Sequence, residues 1–381
     1  MAPPNPSFVR RDASVLGRWW WTVDHGLLWA VLLLTLIGLV LSVSASPCVA
    51  ARIGFARFSF VKKHFLMVPL SLMTMVAVSL LSPQNIRKFS LLVLAAGLFG
   101  LVLVLFAGQE IKGAKRWLFL FGFSLQPSEF VKPALLILVA WLLTERHKDA
   151  DFPGFKLALF FIGLVTALTL LQPDIGMTLV IIMSCMVQIF IAGMPLLWVF
   201  VLAFLGISGL SLSYFFIPHV ANRLDAFFHP ETGDPDQLYQ IRQSLAAFHH
   251  GGWWGCGPGE GIIKRLVPDA HADFVFSVAG EEYGLILCLF IAALFAFVVI
   301  RSLFLAMRQQ NLFVIFSVTG LSVQFGLQAF INMATALRLI PTKGMTLPFV
   351  SYGGSSIIAV GLGMGMVLAL TQKRHGFVGD L

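Results

Sequence analysis

The chain has 381 residues, of which 58% are hydrophobic and only 12% charged, with a formal net charge of +8. Its mean hydropathy of +0.88 lies far from that of a water-soluble globular chain. Apolar runs near the ~20 residues needed to cross a bilayer recur along its whole length, which excludes a soluble domain with one anchor.

Ten spans are predicted in chain order: Leu27 to Ser46, Phe65 to Leu81, Leu91 to Ala107, Phe130 to Thr144, Phe155 to Leu171, Met177 to Ala192, Leu196 to Tyr214, Phe274 to Ile300, Leu312 to Met333 and Gly353 to Leu370. The expected fold class is an all-α integral membrane protein, a polytopic bundle of about ten transmembrane helices with one large extracytoplasmic loop at about 215–272. The first span follows Arg10, Arg11 and Arg18 and ends in "SVSASPC", which also invites a signal-peptide reading. Its apolar run exceeds the ~7–15 residues of a signal core and further spans follow, so a retained helix is expected.

An even number of spans puts both ends on one side, and Arg10, Arg11, Arg18, Lys373 and Arg374 make that side the cytoplasm by the positive-inside rule. Residues 1–26 are then a cytoplasmic tail, 27–372 the membrane domain and 373–381 a second cytoplasmic tail. The four cysteines have no CxxC spacing, which argues against a metal or redox site. Cys48 and Cys256 both fall outside, which leaves a disulfide between them open.

The outer side carries thirteen basic residues against twelve inside, although topology disfavours them there. Lipid phosphates account for Lys62 and Lys63, which can snorkel. For the cations beside Gly- and Pro-rich loops, an anionic ligand at the membrane surface is an equally good reason. Lys112, Lys115 and Arg116 share one face if "KGAKRW" begins a helix. Glu129 and Lys132, three apart at the fourth span, can pair as a structural tie or line a polar cavity. In "LQPDIGM", Asp174 sits at a Pro-Gly break and reads as a turn.

Within the large loop, "DQLYQIRQSLAAFH" places Leu238, Ile241, Leu245 and Phe248 on one face of an interfacial helix. The "GGWWGCGPGEG" that follows either moulds to a ligand or returns tightly to the membrane with Trp253 and Trp254 as anchors. "LIPTKGMTLPFVSYGGSS" sets Lys343 among turn formers, and the hydroxyls of Ser355 and Ser356 can cap the last span. The sequence has no internal repeat, which counts against many transporter folds.

"PDAHADFVFSVAGEEYG" sets Asp273 at the mouth of an apolar helix, where free N–H groups and the helix dipole favour an anion. An N-cap explains such a residue. Surrounded by basic loops, it also suits a general base acting on a hydroxyl beside a lipid pyrophosphate. Glu281 and Glu282 lie roughly 12–14 Å further along the helix, and are expected to pair with cations of neighbouring spans.

In their order, "KGAKRW", "QPSEFVK", "QPDIGM", "YQIRQSLAAFHHGGWWGCGPGEG", "PDAHADFVFSVAGEEYG" and "PTKGMTLPFVSYGGSS" resemble the SEDS family (shape, elongation, division and sporulation), the FtsW and RodA proteins of bacterial cell-wall synthesis. The similarity runs from about Asp24 to Lys373, and the last motif is nearer the division branch, FtsW, than the elongation branch, RodA. Ala272 departs from the family's usual Thr before the acid, which puts local hydrogen bonding in doubt more than catalysis.

The resemblance implies an inverting glycosyltransferase that polymerises lipid II at the outer face of the cytoplasmic membrane for septal wall synthesis. Asp273 is then the catalytic base, with Lys112, Arg116, Arg223 and Lys343 on the pyrophosphate and Glu129, Lys132 and Ser355 lining the cavity. A divalent cation, Mg or Mn, would be shared with the pyrophosphate, and no organic cofactor is expected. Implied partners are an FtsI-like class B penicillin-binding protein as transpeptidase, other divisome proteins, membrane lipids and no nucleic acid. The competing readings are a lipid II flippase and a non-catalytic division scaffold.

Overall fold

The structure, a computed structural model, describes residues 14–372 except 57, 112–113, 121–122, 342–343 and most of 196–234. A short helix, α1 (Val15–Thr22), precedes α2 (His25–Arg52), α3 (Ser59–Ser79) and α4 (Pro83–Ala107). A small antiparallel sheet follows, β1 (Gln109–Ile111), β2 (Ala114–Leu120) and β3 (Phe123–Leu125), in that spatial order. Then come α5 (Pro127–Lys148), α6 (Gly154–Leu171), α7 (Ile175–Ile191), the loop helix α8 (Pro235–Gly251), a 3-10 turn at Ile263–Arg265, α9 (Val275–Met307), α10 (Leu312–Ala336) and α11 (Ser355–Leu370).

Seven of these helices are long and apolar enough to cross a membrane, and α7 and α11 are shorter apolar helices. Together they account for nine of the ten predicted spans. The other, Leu196 to Tyr214, lies largely outside the described residues, as do Lys112, Arg223 and Lys343. The short fourth span is longer than its hydropathy suggested, because the helix continues beyond the apolar run at both ends, through Pro127, Ser128 and Glu129 before it and Glu145, Arg146, His147 and Lys148 after it.

Helix α5 is the centre of the bundle, buried over nearly its whole length and packed against α4, α6, α7, α10 and α11. Its inner stretch from Ala134 to Ala140 is apolar all round, as a helix surrounded by other helices must be. Helices α2 and α9 run antiparallel. Asp24 caps α2 at the Leu27 N–H, 3.0 Å, and the same carboxylate takes Arg301 of α9 at 2.8 Å. At the other end Ser44 of α2 meets Glu282 of α9. These two ties fix the register and define two ends of the bundle, one with Asp24 and Arg301, the other with the sheet, α8 and Asp273.

Three expectations change. "KGAKRW" is a strand, not a helix start: along β2, Ala114 and Leu118 are buried while Lys115 and Phe119 are exposed, and a strand sends neighbours to opposite faces. Lys115 and Arg116 therefore share no face. Ser355 and Ser356 do not cap α11, whose N-cap is Gly354 without a side-chain cap bond. Helix α8 buries Ile241 of the predicted face together with Ser244 and Ala247, leaves Leu238, Leu245 and Phe248 half-buried, and packs on α9 rather than lying free at an interface.

Helix α9 is broken at Gly284, whose φ of 75° and ψ of −174° no other residue adopts readily. The glycine-rich loop supplies what the break removes. Leu285 N–H donates to the Gly252 carbonyl at 2.9 Å, while the Glu281 and Glu282 carbonyls accept from the N–H groups of Cys256 and Gly257 at 3.0 Å each. A Cβ on Gly284 would lie 2.3 Å from the Trp253 carbonyl oxygen. The loop is therefore moulded to α9, with Trp253 and Trp254 left exposed at its tip. All four cysteines are free thiols, Cys48 and Cys256 included.

Candidate active site

Asp273 stands in the turn before α9. Asp269, at φ 50°, offers its carbonyl to the N–H groups of Ala272 (2.9 Å) and Asp273 (3.1 Å). The helix starts at Val275 after Phe274, which is the N-cap and makes no side-chain cap bond. Asp273 is thus not the N-cap residue of α9. Its position is fixed by backbone contacts instead: Asn332 Nδ2 of α10 donates to the Asp273 carbonyl at 2.9 Å and to the Met345 carbonyl at 2.6 Å.

The turn is held on its other side as well. Ser351 Oγ donates to the Ala272 carbonyl at 2.6 Å, and Tyr352 N–H to the His271 carbonyl at 3.0 Å. The loop before α11 therefore clasps residues 271–273, and the Asp273 carboxylate lies over Gly344, where a Cβ would come within 2.8 Å of Oδ2. His271 is buried with its ring 4.6 Å from Phe60 and 5.4 Å from Tyr352. Burial pushes its pKa down, with Asp269 acting in the opposite sense.

The same loop leads to the buried pair of α5. Lys132 Nζ is 2.8 Å from Glu129 Oε2 and 2.9 Å from Gln328 Oε1. Gln328 Nε2 then donates to the Thr346 carbonyl at 3.2 Å. Thr346 and Ser356 share a hydroxyl contact of 3.1 Å, and Ser355 Oγ accepts from the Gln126 N–H at 3.0 Å. Glu129, Lys132 and Ser355 are thereby connected to the loop that bears on Asp273, one layer below it. Asn332 and Gln328 have no distinguishing mark in the sequence, where amides recur through an apolar helix.

The remaining cations divide. Arg116 is spent on the break between α6 and α7: its Nη2 donates to the Pro173 carbonyl, its Nε to that of Gln172 at 3.4 Å, and Nη1 lies 3.7 Å from Asp174. Asp174 in turn caps α7 at Met177, 3.2 Å, as the turn reading expected. Lys264 is buried and ion-paired with Glu282. Glu281 accepts from the backbone N–H groups of Ile263 and Lys264, both at 2.7 Å, and from His250 at 3.1 Å. Both glutamates therefore find partners in the large loop, with Ser44 in addition, rather than cations of neighbouring spans. Lys112, Arg223 and Lys343 lie outside the described residues.

Beside the clasp is a mainly apolar cavity of about 540 Å³ between α3, the β2–β3 hairpin and the starts of α5 and α11. Its lining includes Leu66, Leu70, Phe130 and Ile358, with exposed Lys63, and with Tyr352 and Ser355 from the clasping loop and α11. A mainly apolar lining of this size suits an alkyl chain. Among the described residues no three metal-ligating side chains gather at Asp273, so these residues do not make a metal site of their own.

Comparison with known proteins agrees with this architecture. Residues 25–376 match the profile of the FtsW, RodA and SpoVE family, described as "Cell cycle protein". A relative from Caulobacter vibrioides, named "Probable peptidoglycan glycosyltransferase FtsW", is 44% identical over 98% of this chain and 95% of its own. One of the same name from Aliivibrio salmonicida is 35% identical over 98% and 96%. Among solved structures, a chain from work on "structural coordination of polymerization and crosslinking by a peptidoglycan synthase complex" superposes with TM-score 0.77 at 28% identity, covering 92% of this chain and 98% of that one. The rod shape determining protein RodA of Thermus thermophilus gives 0.68 at 26%, covering 94% and 99%. With the fold, the motifs and nearly the whole length in agreement, the chain belongs to the FtsW, RodA and SpoVE family of cell cycle proteins.

Proposed function

We propose that this protein is a peptidoglycan glycosyltransferase that polymerises lipid II for septal wall synthesis. The observation that carries the reading is the clasp on residues 271–273: amide, hydroxyl and backbone bonds from α10 and the loop before α11 hold the turn that carries Asp273, and Tyr352 of that loop also lines a lipid-sized apolar cavity. The names of the relatives, FtsW peptidoglycan glycosyltransferases, support it.

In this mechanism Asp273 takes the proton from the 4-hydroxyl of the acceptor N-acetylglucosamine as that oxygen attacks the anomeric carbon of the lipid-linked N-acetylmuramic acid. The new C–O bond forms as the bond to phosphate breaks, which inverts the α-linked donor to a β-1,4 product and releases undecaprenyl pyrophosphate. Lys343, next in sequence to the Gly344 that contacts Asp273, is the first candidate to meet that anion, and Lys112 and Arg223 are the other candidates. Arg116, Glu129, Lys132 and Ser355 serve as framework. A divalent cation would be held mainly by pyrophosphate oxygens.

The Asp273 end of the bundle then faces the outside and both termini the cytoplasm, a reading that the basic residues of the tails support. The crosslinking partner is a class B penicillin-binding protein, in keeping with the solved synthase complex. The test is glycan polymerisation from purified lipid II by this protein with its cognate transpeptidase, wild type beside Asp273→Asn. Polymer from the wild type and none from an equally folded, partner-bound variant is the expected result. A fully active variant removes Asp273 from the chemistry, and no polymer from either returns weight to flipping or scaffolding.

A further inference from the structure

Helix α8, the glycine-rich loop and α9 meet at a second constellation that the reaction does not use. His250 in the last turn of α8, Cys256 in the loop and Glu281 on α9 each offer one ligand atom, and these atoms lie within 4.8 Å of one another. The Cys256 thiol already points at Glu281, donating to its carbonyl at 3.1 Å, and the His250 ring reaches its carboxylate at 3.1 Å.

Charge gives a reason for the grouping. Glu281 and Glu282 are both buried, at 0% and 1% exposure. Among the described residues the ammonium in their midst is that of Lys264, which is ion-paired with Glu282 and bonded to Ser44 and the Gly259 carbonyl. Glu281 is left with two backbone N–H groups and an imidazole, so its charge is buried without a full counter-charge, an arrangement that costs free energy.

We propose that His250, Cys256 and Glu281 form a binding site for a zinc ion. A dication with one thiolate and one carboxylate makes a neutral unit. The mixed N, S and O donors fit a borderline-soft tetrahedral ion and not magnesium or calcium, which take oxygen ligands. On binding, the Cys256 S–H proton passes to solvent as the S–Zn bond forms, and neutral His250 moves its ring proton from Nδ1 to Nε2 through solvent, which frees the Nδ1 lone pair for the metal. The Ile263 and Lys264 N–H groups keep the carboxylate oriented. The His250 side chain is 37% exposed, so water can complete the fourth position. Zinc would then pin three elements together within one turn of the Gly284 break.

The test uses the full-length protein in detergent after chelator treatment, titrated with Co2+ as a spectroscopic probe and with Zn2+ in competition. The expected result is one ion per chain, a thiolate-to-cobalt charge-transfer band, and a higher melting midpoint with Zn2+. Cys256→Ser and His250→Ala should each weaken zinc binding by roughly 10-fold or more, while Cys48→Ser behaves as wild type. Protection of Cys256 from alkylation by Zn2+, read by mass spectrometry on the unmutated chain, tests the same point without relying on a variant's folding. No saturable zinc binding, a cobalt spectrum without the thiolate band, or unprotected Cys256 overturns the proposal.

Discussion

Replacing Lys132 by methionine tests whether the buried ion pair of α5 is framework or chemistry. Its side chain is 1% exposed and that of Glu129 6%, with 2.8 Å between the charges. The substitution leaves Glu129 as a buried carboxylate without its counter-ion and strips Gln328 of its donor. Removing one partner of a buried pair costs about 3–5 kcal/mol, and the lost hydrogen bond about 1 more. Neutralising both, as Glu129→Gln with Lys132→Met, takes away the uncompensated charge and should return most of that loss. Unfolding in mixed micelles titrated with SDS, followed by tryptophan fluorescence, reads the stability, and lipid II polymerisation reads the output. The single variant is expected to lose stability and activity together and the double variant to regain both. A single variant within about 1 kcal/mol of wild type, or a double variant no better than the single, refutes the energetic argument. A double variant that is stable yet inactive would move the pair from framework to chemistry.

Three further outcomes follow from the same contacts. Asn332→Leu removes the amide donor to the half-buried Asp273 carbonyl and to the buried Met345 carbonyl, at about 1–3 kcal/mol, and is expected to lower the polymerisation rate at least 10-fold with partner binding intact; an unchanged rate would show that the clasp does not position Asp273. Gly284→Ala forces a side chain into a glycine-only conformation at a cost of about 1–3 kcal/mol and into the Trp253 carbonyl, so limited proteolysis should cut the 251–262 loop faster than in wild type. Burial holds His271 below its ordinary pKa of about 6.5, so below that pH the folded chain binds fewer protons than the unfolded one. Stability is therefore full above about pH 6.5 and falls as the pH drops through it. The groups facing His271 are Phe60, Tyr352, the His64 imidazole and Asp269, and His271→Phe should flatten the acid side of the melting-midpoint curve. An unchanged slope would assign the effect elsewhere.

Much of this architecture was legible because bilayer physics writes long apolar runs, whereas the buried stripe of α8, Ile241, Ser244 and Ala247, shares only Ile241 with the apolar spacing of Leu238, Ile241, Leu245 and Phe248. Asp273 was legible as an acid at the mouth of such a run and from the resemblance. The sheet at 109–125 was not: "KGAKRW" fits a helical face and a strand equally well, and only pairing with β1 and β3 decides. The partners of Glu281 and Glu282 were hidden for a different reason. Sequence hydropathy shows an unbroken apolar helix there, whereas the Gly284 break admits the backbone of a loop some thirty residues upstream, and backbone bonds leave no residue signature. Arg116 and Lys264 looked like free cations until the fold showed each already paired, which is why counting basic residues overstated what is available to an anionic substrate.

The break in α9 also bears on how the protein is made. Below Gly284, Leu285 to Met307 is about 23 residues, or about 34 Å of helix, already enough to span the hydrocarbon core. The segment from Val275 to Tyr283, with two carboxylates at its lower end, is not needed for crossing and is costly to leave in lipid. Its acids and open carbonyls find partners in His250, Cys256, Gly257 and Lys264, all of which emerge from synthesis before α9 does. A nascent chain thus presents the receiving loop first and the guest helix second, so this junction can close as soon as α9 is released, without waiting for α10 and α11 to arrive.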